Sequence, residues 1–173
     1  RHHGVTPARA SLNSMDELDI AIVDPRIDDV RALVEHHLTF GRLHSPSQDA
    51  HAFEVDGLLD PAVTLFGIRS RGELVAIGAL KWLDDQHAEL KTMHTAEHVR
   101  GLGIGRAMLD HLLAVAREHG FERVSLETGS MEAFAPARSL YVNAGFAPCE
   151  PFGDYRRSPN STYMTMRVND QAG

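Results

Sequence analysis

The hydrophobic positions of this chain change period several times, and each change marks an element. Val30, Leu33, Val34, His37 and Leu38 recur at helical spacing behind Pro25, whose fixed φ suits a first turn; they predict a helix over about residues 25–39. Residues 41–60 are less regular, and residues 47–59 read as a short helix with Ser47 or Asp49 as cap and Gly57 near its end. The period then shortens to that of strands. Residues 63–68 and 73–82 are rich in β-branched and apolar side chains, with Ser70-Arg71-Gly72 as the hairpin turn between them. Asp84-Asp85-Gln86 makes the next turn, into a third strand over residues 88–95. Met108, Leu109, Leu112, Leu113, Val115 and Ala116 then restore a helical stripe that stops at Gly120. Residues 123–126 form a fourth strand, Pro136 and Gly145 bracket another helix, and residues 163–168 close as a strand. The order helix, antiparallel strands, helix, strand, helix, strand predicts a single α+β domain with a mixed sheet.

Composition narrows the setting. The 173 residues suffice for one domain with a core, and no internal repeat divides them. Residues 1–14 read as the remnant of a histidine tag and linker ahead of Met15, leaving residues 15–169 as the expected domain. Without Arg1 and Arg9, 15 basic residues face 24 acidic ones, so the net charge moves from −7 to −9. That surplus argues against nucleic acid, whose binding needs a basic footprint, and suits a cationic partner such as an amine. No apolar run approaches the length of a membrane span, and no secretory leader is read. Cys149 stands alone, which excludes an intrachain disulfide and a Cys-x-x-Cys metal pair; a reducing cytoplasm is the expected compartment.

The most informative segment is Arg100-Gly101-Leu102-Gly103-Ile104-Gly105-Arg106, between a strand and a helix. Three alternating glycines at a helix start leave a row of backbone N–H groups unscreened. With the positive end of the helix dipole, that row suits a phosphate or pyrophosphate, and Arg100 and Arg106 can add charge-assisted contacts. The loop is not a P-loop, because no lysine follows its glycines. It also fails the dinucleotide pattern: Arg106 or Met108 stands where the third glycine belongs, and Glu122 precedes the next strand instead of ending it.

Two motifs together resemble a known family. Arg100-Gly101-Leu102-Gly103-Ile104-Gly105 is similar to the Arg/Gln-x-x-Gly-x-Gly/Ala motif of the GNAT (Gcn5-related) N-acetyltransferases, and residues 137–146 resemble that family's Ala-x-x-Leu-Tyr-x-x-x-Gly-Phe element. Leu126-Glu127-Thr128-Gly129 and Pro151-Phe152-Gly153-Asp154-Tyr155 look like those of small bacterial YsnE-like members. The resemblance implies a GNAT fold, a single α+β domain whose mixed, mostly antiparallel central sheet is flanked by helices. It implies acetyl transfer from acetyl-CoA to a primary amine of a small molecule or peptide, and it favours a homodimer. The pantetheine chain would pair with the edge at Met93, His94 and Thr95, and the pyrophosphate would lie on the N–H groups from Arg100 to Arg106. Where many family members carry an asparagine that contacts the cofactor, this chain has Phe134. The alternative function is a non-catalytic module that senses acetyl-CoA; a nucleotide enzyme ranks last.

The resemblance makes Tyr141 the candidate proton donor to the leaving sulfur, with packing alone as the plain alternative. Glu89 is the candidate base, directly or through water, against a simple pairing with Lys91 two residues away on the same strand face. His94 is a second base candidate that fits equally well as a cleft-lining residue. The remaining histidines, His37 among them, show no His-Glu-x-x-His spacing and read as surface residues, so no metal is expected. Glu127, Thr128 and Gly129 either face the acceptor or end a strand, and residues 151–159 either gate the acceptor site, form a dimer contact or run as a surface loop.

Overall fold

The computed structural model describes residues 17–45 and 55–169. Its strands are β1 (Leu18–Ile22), β2 (Val63–Ser70), β3 (Glu73–Trp82), β4 (His87–Thr95), β5 (Arg123–Gly129), β6 (Ala147–Pro148) and β7 (Ser161–Arg167). Its helices are α1 (Asp28–His44), α2 (Ile104–Glu118) and α3 (Ala135–Ala144). The strands form one sheet in the order β1-β2-β3-β4-β5-β7-β6. Each neighbouring pair is antiparallel except β4 and β5, which are parallel because α2 crosses between them. The expected α+β single domain with a mixed, mostly antiparallel sheet is the fold observed.

Alternation along the strands sorts the core onto two faces. Leu65, Leu74, Ile77 and Ala79 pack beneath Val30, Leu33, Val34 and Leu38 of α1. On the other face Phe66, Ile68, Leu80, Ala88, Leu90, Val124 and Leu126 pack with Met108, Leu109, Leu112 and Tyr141 from α2 and α3. Met108, Leu109 and Leu112 are fully buried, each contributing about 2 kcal/mol of apolar transfer. By the same alternation, Glu89, Lys91, Ser125 and Glu127 point toward the α1 face.

Two strands escape the sequence pattern. Both β1, an edge strand whose Ile22 is exposed, and the two-residue β6, which contains Pro148, are too short to show a period. Helix α1 starts three residues later than predicted and runs on to His44. Asp28 and Asp29 favour the start through the dipole, and Phe40 stacks on His44 one turn later, at 4.4 Å, beyond the end of the apolar stripe. Of the short helix expected over residues 47–59, residues 47–54 lie outside the described residues, and Val55–Leu59 is a 3-10 turn. Among the described residues no helix is long and apolar enough to cross a membrane.

Candidate active site

The parallel pairing of β4 with β5 runs only from His87↔Arg123 to Leu90↔Leu126. Beyond that point β4 bulges against β3 and Thr92 takes φ +54, a left-handed conformation that costs a branched residue about 1 kcal/mol or more. The bulge turns β4 away from β5, which continues alongside β7 to Gly129. The two strands therefore open a wedge whose apex is Leu90 and Leu126, with Lys91 and Glu127 the first residues past it. A cleft of about 570 Å³ occupies the wedge, lined from the sheet, from α1, from the glycine loop and from α3.

On the α1 face the apex carries a buried polar cluster. Tyr155 donates its hydroxyl proton to Glu89 Oε2 at 2.6 Å, and Lys91 Nζ donates to the Tyr155 oxygen at 3.1 Å and lies 3.2 Å from Glu89 Oε2. The side chains of Glu89 and Lys91 are only 4% and 8% exposed. Burial pulls Lys91 down from its ordinary pKa, and Glu89 offsets part of that fall. Burial, with the charge of Glu89 next, pushes the Tyr155 hydroxyl far up, so it remains a donor. Beside this cluster the Nδ1 atoms of His37 and His94 are 3.3 Å apart, so one ring donates to the other. Burial lowers His37 to about 4; burial, then the charge of His37, lowers His94 to about 3. Both rings are neutral at neutral pH.

On the α2 face lie the glycine loop and Tyr141. Gly101 and Gly103 take φ +79 and +84, backbone that a side chain would strain. The Arg100 N–H bonds to Glu97 O at 3.3 Å, and the next loop N–H with a backbone acceptor is that of Ala107, to Gly103 O at 3.0 Å. Among the described residues, the N–H groups of residues 101–106 between them have no backbone acceptor, and they gather at the start of α2. Such a row can cradle an anion. Tyr141 projects from α3 toward the cleft, its pKa raised mainly by burial and further by the charge of Glu127. Its hydroxyl has no hydrogen-bond partner among the described residues, yet no fully buried side-chain nitrogen or oxygen there lacks one. The hydroxyl is therefore open to the cleft.

The sequence model of the acetyltransferase (GNAT) family matches residues 28–146, which takes in the split strand, the cradle and α3. This chain belongs to that family. It is 44% identical over 149 residues to the uncharacterized N-acetyltransferase YsnE of Bacillus subtilis strain 168, covering 83% of this chain and 98% of that one. It is 33% identical over 153 residues to the IAA acetyltransferase of Azospirillum brasilense, covering 87% and 97%. A crystal structure of an acyl-CoA N-acyltransferase from Klebsiella pneumoniae superposes with TM-score 0.74 at 25% identity, covering 88% of this chain and 98% of that one. The acetyltransferase is thus a YsnE-like member that uses acetyl-CoA.

The residues of the acetyltransferase fit that co-substrate: a row of N–H groups without backbone acceptors suits a pyrophosphate, and β4 beyond Leu90 presents an edge that β5 does not pair. Met93, His94 and Thr95 lie on that edge and line the cleft, with Arg100, Gly101, Gly103, Ile104, Gly105, Arg106, Glu89 and Tyr141. The Leu102 side chain is exposed, so its N–H alone belongs to the row. Arg106 is held along α2 by Asp110 at 2.9 Å, and Arg100 Nε bonds to Thr95 O at 3.2 Å. Glu127, Thr128 and Gly129 also line the cleft. Within residues 151–159, Phe152 and Tyr155 pack in an aromatic cluster with Tyr163 and His87, while Gly153, Asp154, Arg156, Arg157 and Pro159 are exposed. The sequence pattern did not mark Phe40 and Arg42 as cleft residues and placed His37 on a surface, while Tyr155 lies in the stretch for which an acceptor-site gate was one of the expectations. The clue for His37 was its own position in the apolar stripe of α1.

Proposed function

We propose that this acetyltransferase moves the acetyl group of acetyl-CoA to a primary amine of a small molecule or peptide. The observation that carries the amine reading is the pair of carboxylates on the floor of the wedge: Glu89, with Lys91 as its ion-pair partner, and Glu127 stand at its apex on the α1 face, opposite the cradle and Tyr141. Carboxylates there draw a cationic amine and can take a proton from it.

Acetyl-CoA supplies an acetyl group activated as a thioester. Residues 101–106 and the β4 edge hold its pyrophosphate and pantetheine chain, so that positioning provides much of the rate. Glu89, oriented by Tyr155 and Lys91, receives the proton of the incoming amine directly or through water. Tyr141, kept protonated by its burial, gives its proton to the sulfur as carbon–nitrogen bond formation expels it, and regains one from solvent. His94 serves as a neutral wall of the site, its ring tied to His37.

Release of free CoA thiol across a panel of amines, polyamines, amino acids and peptides tests this reading. Amine-dependent release supports it. Binding of acetyl-CoA with no release by any amine favours a sensing module instead.

A further inference from the structure

A chain of stacked side chains crosses the open end of the wedge. Arg100, just beyond β4 and tethered to Thr95 O, lays its guanidinium over the Phe40 ring of α1 at 5.8 Å from the centroid. Phe40 meets Phe134 edge to face, with centroids 5.4 Å apart and planes at 84°, while His44 packs on Phe40 at 4.4 Å. Phe134 in turn lies flat on Gly129, the last residue of β5: a Cβ at that position would run into Cδ2 and Cε2 of the ring. These contacts run from the end of β4, through α1, to the end of β5. They close the wedge into a ring with its apex at Leu90 and Leu126 and two phenyl groups across its base. Arg100, Phe40, Phe134 and Gly129 all line the cleft.

We propose that Phe40 and Phe134 form an aromatic clasp over the pantetheine arm of acetyl-CoA and set how tightly the arm is held. The inference rests on the placement of that arm in the wedge. Strand edges on two sides of the wedge offer hydrogen-bonding groups to the arm's amides. The third side needs only an apolar cover that excludes water, and two half-buried rings supply one without a polar atom to satisfy. Edge-to-face geometry makes the rings one contact: removing either leaves the other without its partner and opens the base. Gly129 belongs to the device because only the missing Cβ lets Phe134 reach across.

Calorimetric titration of the full chain with acetyl-CoA reads the clasp. Phe134→Ala and Phe40→Ala each weaken binding about tenfold, and the double variant little more than either, because the rings act as a unit. Gly129→Ala, which keeps both rings in the sequence and unseats Phe134, gives the same loss and carries the test if a truncated variant melts early. 3′-Phospho-ADP lacks the pantetheine arm, and its affinity stays within about twofold in every variant. Unchanged affinity for acetyl-CoA, additive losses, or an equal loss for 3′-phospho-ADP would each overturn the clasp. A wild-type chain that binds neither ligand would instead reject the cradle as the cofactor site, and the clasp with it.

Discussion

Tyr141 has a buried ring, a hydroxyl open to the cleft and a pKa raised by burial, a combination that suits a proton donor better than a packing residue. Tyr141→Phe is expected to lower kcat about a hundredfold with a much smaller change in KM for acetyl-CoA, measured by thiol release. An unchanged kcat would remove Tyr141 from the chemistry. The His37–His94 pair makes a different prediction. Unfolded histidine binds protons near pH 6.5, whereas the folded pair resists protonation until about pH 4 or below. The unfolded state thus holds more protons across that window, so the pair's contribution is full above pH 6.5 and lost as the pH falls toward 4. Urea midpoints should fall from pH 7 to pH 5, and His37→Leu should flatten that slope. Tyr141 was legible because a motif fixed its position. The histidine pair was not, since nothing local in α1 says that residue 37 meets residue 94.

Elements decide what these side chains can do. The cradle depends on the backbone of the loop before α2, where Gly103 caps the helix at φ +84. Gly103→Ala should cost about 1 kcal/mol of stability through left-handed strain and should weaken acetyl-CoA as the row of N–H groups shifts, read by thermal melting and calorimetry. Glu89 and Lys91 show how a strand buries charge. Lys91→Met strands a carboxylate that is 4% exposed and should destabilise the fold by about 3 kcal/mol, while Glu89→Leu with Lys91→Met should lose less than the sum of its parts. Chemical denaturation of the single and double variants measures both. The hairpin strands were legible nearly to the residue: β3 (Glu73–Trp82) has the bounds its pattern gives, whereas the ends of α1 and β5 were displaced by three residues or more. The bulge at Thr92 was not, because a threonine at positive φ leaves no trace in composition or period. It is this bulge that opens the wedge.

Across the whole molecule, the sheet is a partition. The glycine loop and Tyr141 stand toward its α2 face, the carboxylates and histidines toward its α1 face, and the wedge between β4 and β5 is the place where the two meet. Two short motifs sufficed to name the family, since they fix one loop and one helix that every residue of the cradle depends on. The side of the cleft proposed for the acceptor was far less legible, because α1, the end of β5 and Tyr155 converge on it from distant parts of the chain. The most direct measurement of the account is mass spectrometry of the product from acetyl-CoA and the most active amine, with free thiol counted in the same reaction. An acetyl group on the amine nitrogen and one thiol released per product are expected. Acetyl-CoA that binds tightly yet yields neither acetylated amine nor thiol with any amine of the panel would contradict that expectation.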